Sequence, residues 1–257
     1  QPLEIQGTEF REKMGSDAER LVRDLPPVPQ DSRVILASDI GETASPTNIG
    51  VFLLDQPRRD GKPFDRMELR IALHRFEAYE RAKVFVALAN YYRPERIAID
   101  MGHAGSAVIS NMLSQELFPQ FAFRDQVLPV DFRKPVEMAR LDKAEAMDPA
   151  ERRRSMRTPS PVLVQQMLKG ASTKWLRDRF YWDGLSLPND KVIFEEFSRH
   201  RLVGVRYTDP QHTIDMLRCY AYARYDMDYR LLVPPTEVQG DAPLVFGEWV
   251  GSGTVGG

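Results

Sequence analysis

The sequence predicts a mixed α/β fold, a mixed sheet flanked by helices, on three observations. Three short apolar runs follow one another with short connections, the pattern of an antiparallel meander. Helical periodicity and further short buried runs then alternate. Two of the strands end on an acidic residue. The 257 residues suit one large domain, and a composition of 42% hydrophobic and 28% charged residues is that of a globular protein with a sizeable core.

The elements follow in order. Residues 1–24 read as a charged helix or arm with Phe10, Met14 and Leu21 as anchors. Leu25-Pro26-Pro27-Val28-Pro29 is a stiff connector, because proline fixes φ and removes a donor. Residues 1–32 are therefore assigned to an N-terminal arm and linker. Arg33–Asp39 (RVILASD) is short, apolar and β-branched, and stops at Ile40-Gly41, as a buried strand entering a turn does. Asn48–Leu54 is its hairpin partner, and Met67–His74 alternates as a third strand. Tyr79–Tyr92 has helical spacing and stops before Pro94. Arg96–Asp100 (RIAID) is a fourth strand, followed by Gly102 and Gly105 at a turn and a helix over Ser106–Leu117. Gln126–Phe132 is a fifth strand, and Pro129 in its middle argues for an edge position.

Residues 133–190 begin with a polar stretch of mixed charge and are assigned to an insertion. Within them Pro161–Leu176 reads as a helix. Lys191–Phe197 and Leu202–Tyr207 are expected to form a late strand pair. Pro210–Tyr225 is a strong helix candidate, with Thr208-Asp209-Pro210 supplying a cap and an early proline. The main domain is thus expected over 33–233, with a flexible tail over 234–257 that includes the glycine-rich Gly247–Gly257. Beginning at Gln1 rather than Met, the chain reads as a processed protein or an excised piece.

Composition excludes several classes. A formal net charge of −2 and a pI of about 6.2 are unlike a DNA-coating protein, so any nucleic-acid contact is local or runs through metal ions. The single cysteine, Cys219, rules out an intramolecular disulfide and reads as a small buried core residue. With four histidines and one cysteine, a Cys/His zinc site is nearly excluded. No segment is long and apolar enough to span a membrane, and no signal peptide is visible.

Three acids carry the chemistry. Asp39 ends the first meander strand, Asp100 ends the fourth strand, and Asp215 lies on the last strong helix, three residues after His212. Phosphodiester hydrolysis needs a water activated near neutral pH and counter-charge for the pentavalent state, which two divalent metals about 3.5–4 Å apart can supply. Hard cations such as Mg2+ or Mn2+ prefer carboxylate oxygens, and rigid strand ends plus one helix present them without mobile loops. Each acid also has a plainer reading. An Asp before a glycine is often a turn residue, and Asp215 among Ile214, Met216, Leu217 and Cys219 could pair with Arg218 or Arg224.

Ile35–Gly41 (ILASDIG), Ile97–Gly105 (IAIDMGHAG) and Gln211–Ala221 (QHTIDMLRCYA) resemble the three acidic motifs of the viral, tailed-phage terminase large-subunit nucleases. The resemblance spans roughly residues 33 to 226, and the third motif is the most specific. His212, Asp215, Leu217 and Arg218 occupy its pattern, while Met216 and Cys219 stand where the family often has alanine and tyrosine. It implies an RNase H-like fold and an endonuclease that cuts concatemeric double-stranded viral DNA during genome packaging. Asp39, Asp100 and Asp215 would be the metal ligands and, with His212, the catalytic residues. Mg2+ or Mn2+, as two ions, would be the cofactor. The implied partners are double-stranded DNA, an ATPase motor domain, the small terminase subunit and the portal, at the viral procapsid in the host cytoplasm. The chain contains no G-x-x-x-x-G-K-[ST] loop, so the motor would be absent from it.

His212 lies about one helical turn before Asp215 and shares its face, where it could ligate a metal, orient a water or meet the phosphate. Glu42 and Asp209 are near enough in sequence to complete a second metal's shell. Glu195-Glu196 reads as an ordinary strand pair with one face in solvent. Arg133-Lys134 and Arg152–Arg154 could track phosphates, against a plainer reading as a solvated face diluted by Glu137, Asp142, Glu145 and Glu151. Trp175, Tyr181 and Trp182 could stack bases, with core packing as the alternative. Two other readings stay open: a different RNase H-like nuclease, such as a junction resolvase, transposase or exonuclease, and a catalytically inactive module of that fold that binds DNA or protein.

Overall fold

The computed structural model describes residues 2–29, 31–42, 45–58, 61–133, 135–140, 162–181, 184–199, 202–203, 206–207 and 212–232. Strands β1 (Leu3–Gln6), β2 (Val34–Asp39), β3 (Thr47–Gln56), β4 (Phe64–His74), β5 (Arg96–Asp100) and β6 (Val127–Val130) form one sheet in the order β1-β4-β3-β2-β5-β6. β2, β3 and β4 are the expected antiparallel meander, while β5 and β6 run parallel to β2. The predicted fold class is thus what the chain adopts: a mixed α/β fold with a mixed sheet flanked by helices. β6 ends the row, which explains how Pro129 is tolerated without a backbone donor.

The two-residue period of the strands sorts side chains onto two faces. Val34 and Leu36 of β2 join Ile97 and Ile99 of β5 in one core, with Ile49, Val51 and Leu53 of β3. Ile35, Ala37, Phe52 and Ala98 point the other way, into a second core. The first core is covered by helices α1 (Gly7–Met14), α2 (Ala18–Arg23), α3 (Ala78–Tyr92) and α4 (His103–Leu113). The second is covered by α5 (Leu168–Tyr181), α6 (Lys191–Arg199) and α7 (His212–Leu232). α7 is the main partner of the sheet on that face, and its Tyr220 stacks on Phe52 at 4.1 Å. Asp39 and Asp100 continue the alternation of Ile35, Ala37 and Ala98, so both side chains belong to the α7 face.

The N-terminal segment is drawn into this body. β1 pairs in parallel with the end of β4, and Phe10 is fully buried against Phe76. Leu21 is buried and Met14 half-buried, as anchors should be. The proline connector lies along α3, whose Tyr91 and Tyr92 hydroxyls donate to the carbonyls of Leu25 and Pro26. α3 begins in a capping box of Glu77 and Glu80 and stops at Arg93, in the left-handed region at φ 49°, before Pro94.

Two expectations are corrected. Lys191–Phe197 is helix, not strand. Asp190 accepts from the Val192 backbone at 2.9 Å and caps the turn, while Ile193 and Phe197 face the core one turn apart. Capping and tertiary burial outweigh the β-leaning local composition. Pro161–Leu176 is not one helix either. Val162–Met167 is a strand, β8, paired antiparallel with β7 (Pro135–Arg140), and the helix starts at Leu168. Leu202–Val203 (β10) pairs with Arg206–Tyr207 (β11) rather than with an earlier strand, and Leu185–Ser186 (β9) extends the β4 edge. Arg152–Arg154, Asp209, Lys134, Trp182, the side chain of Tyr181 and the tail over 234–257 lie outside the described residues. Among the described residues no helix is long and apolar enough to cross a membrane.

Candidate active site

The site forms where β2 and β5 end together. They are parallel neighbours, and their last paired residues are Ser38 and Ile99. One step further stand Asp39 and Asp100, on adjacent strands and on the same face. Two glycines let the chain leave both strands tightly. A Cβ on Gly41 would meet the carbonyl oxygens of Ser45 and Pro46, and one on Gly105 would meet the carbonyl oxygen of Asp100. Gly41 and Gly105 are thus requirements of close backbone approach beside the acids.

Burial makes these carboxyls costly to ionise. Asp39 is 6% exposed. Burial pushes its carboxyl above the usual range, a hydrogen bond with His212 opposes this, and Asp215 and Glu196 add repulsion. The Asp100 carboxyl is pushed up to about 7, first by burial and then by Asp39. The Gly102 backbone N–H donates to Asp100 at 3.1 Å and opposes the rise. Among the described residues neither acid has an arginine or lysine ion pair.

The first turn of α7 supplies the other groups. His212 Nδ1 lies 2.7 Å from Asp39 Oδ2, and this hydrogen bond is the main reason the imidazole pKa is raised. Asp215, one turn on, is ion-paired with Arg218 Nη1 and lies 3.6 Å from Lys169 Nζ. Arg218 is fully buried and also donates to Thr173 Oγ1 at 2.8 Å. The α7 N-terminus is capped by Glu196 of α6, whose Oε2 accepts from the Thr213 backbone at 2.8 Å and from its hydroxyl at 2.7 Å.

The structure therefore brings Asp39, Asp100 and His212 together and places Asp215 within electrostatic reach of all three. Asp215 also makes the Arg218 pair that its plainer reading anticipated. Among the described residues no three His, Cys, Asp or Glu side chains stand as a ready metal-holding group. Asp39 and Asp100 fit a hard divalent cation: they are adjacent, oxygen-donating and mutually repelling, and a cation would relieve that repulsion. Asp215 is engaged with its own cations.

Glu42 is exposed. Cys219 is buried beneath the acids, and burial raises its thiol well above the ordinary range, so it is an inert core residue. Trp175 packs in the second core, edge-on to Tyr220 at 6.0 Å with Arg179 over its ring. Arg133 is exposed, ion-paired with Asp131 at 2.9 Å, and feels the charge of Asp100. Two residues escaped the sequence reading. Glu196 was hidden by the strand assignment, although Asp190 before Lys191 is a helix-start signal that would have placed it. Lys169 carries no local signal, because only the packing of α5 on α7 brings it to Asp215.

No protein-family model matches the chain, and no curated protein does. Among solved structures, the chain is similar to the large terminase nuclease of thermophilic phage G20c with bound magnesium. The identity is 12%, over 76% of this chain and 84% of that one, with a TM-score of 0.48. It is similar to the P22 large terminase nuclease domain at 14% identity, over 79% of this chain and 92% of that one, with a TM-score of 0.44. It is also similar to the yeast mitochondrial Holliday junction resolvase at 9% identity, over 87% and 97%, with a TM-score of 0.38.

Proposed function

We propose that this chain is a divalent-metal-dependent endodeoxyribonuclease that cuts double-stranded viral DNA during genome packaging, as the nuclease part of a terminase large subunit. The observation that carries the reading is the pair of mutually repelling carboxyls, buried Asp39 and half-buried Asp100, at the ends of adjacent parallel strands beneath the His212–Asp215 turn of α7. Structural acids are usually matched to cations where they are buried. These two are matched to each other.

Asp39 and Asp100 would hold Mg2+ or Mn2+, with Asp215 as the third acid of the set. When bound, the metal supplies a hydroxide-like water near neutral pH and counter-charge for the phosphorane and leaving oxygen. Asp39 fixes the imidazole of His212 through Nδ1, which leaves Nε2 to orient a water or accept its proton. Glu196 holds the helix end that carries both His212 and Asp215. Arg133, exposed and within electrostatic reach of Asp100, would meet the phosphate backbone. The motor domain, small subunit, portal and procapsid location belong to the same proposal.

The Arg218–Asp215 pair favours a second reading, an inactive DNA- or protein-binding module in which that acid is purely structural. Supercoiled plasmid incubated with Mg2+, Mn2+ or chelator separates the two. The nuclease reading expects metal-dependent nicking and linearisation, lost by about a thousandfold or more in folded Asp39→Ala, Asp100→Ala and Asp215→Ala. Cleavage that survives all three substitutions sinks the site. Absence of cleavage in either metal supports the binding module.

A further inference from the structure

We infer that Lys169 is a substrate-binding residue of this site, the cation that receives a DNA phosphate oxygen at its α5 edge. The inference rests on the nuclease reading and adds a residue to it. Lys169 sits in the first turn of α5, where the helix dipole disfavours a cation. It is nevertheless held at the carboxylate cluster, with Nζ 3.6 Å from Asp215 Oδ2. Its backbone is fixed there, since the carbonyl of Lys169 accepts from Thr173 Oγ1 at 2.7 Å and from Ser172 Oγ at 3.2 Å.

Asp215 does not depend on Lys169 for its counter-charge. Arg218, fully buried on α7, already pairs with it directly and is itself steadied by Thr173. The Lys169 side chain is 33% exposed, whereas Arg218 is at 0%. The two cations at Asp215 therefore differ in kind: one is locked inside, and the other stands at the surface with a loose partner and a long flexible stem. A phosphate approaching Asp39, Asp100 and Asp215 meets like charge, and a lysine at that edge supplies the opposite charge. A strongly hydrated point charge on four methylenes can leave Asp215 for a phosphate at small cost.

The test compares wild type, Lys169→Met and Lys169→Arg in two measurements. Plasmid cleavage at saturating DNA is expected to slow by at least about tenfold in Lys169→Met and to recover largely in Lys169→Arg. Anisotropy of a fluorescein-labelled duplex in Ca2+, over a salt series, is expected to lose about 0.9 from the slope of log affinity against log salt in Lys169→Met, the loss of one phosphate contact. An unchanged slope overturns the inference, whatever happens to the rate. If wild type cuts no DNA yet the slope falls, the phosphate contact stands and the nuclease reading fails. If wild type cuts and Lys169→Met matches it in both rate and slope, the nuclease reading stands and Lys169 is only a surface partner of Asp215.

Discussion

The two ends of α7 meet the same sheet, and the acidic residues gathered at each end are treated in opposite ways. At the far end, among the described residues, four carboxylates each have an arginine. Asp55 is ion-paired with Arg33 and Arg224, Asp65 with Arg224, Asp226 with Arg96, and Asp228 with Arg179 and Arg224. Tyr220 also donates to Asp65 at 2.5 Å. At the near end, among the described residues, Asp39 has His212 and Asp100 has one backbone N–H, and neither has an arginine or lysine. The far end shows how this chain satisfies acids that only hold the fold. By that standard the near end is left short of positive charge, and the shortage is what a bound cation would supply.

The largest expected effect breaks the satisfied end. Arg224 is 6% exposed and serves three carboxylates. Arg224→Met leaves buried Asp65 without its arginine and takes one of two arginines from Asp55 and from Asp228, which keep Arg33 and Arg179. Unfolding in urea should show a loss of about 3–5 kcal/mol, the range for removing one partner of a buried ionic cluster. Metal-dependent cleavage below the lowered melting temperature should stay close to wild type. A loss of less than about 1 kcal/mol would mean that solvent already screens the far end, and the contrast between the ends would dissolve.

The next effect sharpens the deficient end. A cation that binds only the folded chain stabilises it by about 2.7 kcal/mol at a hundred times its dissociation constant. Calorimetric melting in Mg2+ or Mn2+ against chelator should show an upward shift in wild type. The shift should disappear in Asp39→Asn and Asp100→Asn and persist in variants of the far end. A shift that persists in Asp39→Asn places the cation elsewhere.

How legible the sequence is follows the same division. The meander, β5, the helix over Ala78–Tyr92 and the acids at strand ends were readable, because strand alternation, Pro94 and the glycines are local signals. That Asp39 and Asp100 share a face follows from parity once β2 and β5 are neighbours. The cationic partners were far less readable, since Arg224 reaches Asp55 across 169 residues of chain and Glu196 reaches Thr213 from another helix. Arg218 was the exception, because a partner one turn from Asp215 is visible as spacing. Lys191–Phe197 failed for a physical reason: β-branched and aromatic residues lean to strand locally, and the Asp190 cap and the burial of Ile193 reverse that preference.

The smallest effect concerns pH and Asp100. Its folded pKa of about 7 lies above the ordinary carboxylate value of 3.8, so the folded state binds more protons than the unfolded state between those limits. The stability this group contributes is therefore full below about pH 4 and is lost as pH rises through about 7. Asp100→Asn removes the half-buried charge, and at pH 8 without metal it should raise stability by roughly 1–3 kcal/mol after discounting for solvent screening. At pH 4 the gain should vanish, because wild-type Asp100 is already protonated there. Saturating Mg2+ should reverse the order at pH 8, since wild type gains the cation and the variant does not. Melting curves of the two proteins at both pH values, with and without metal, test all three statements. A variant less stable than wild type at pH 8 in chelator would show that Asp100 is ionised without strain, and the near end would then be no more deficient in charge than the far one.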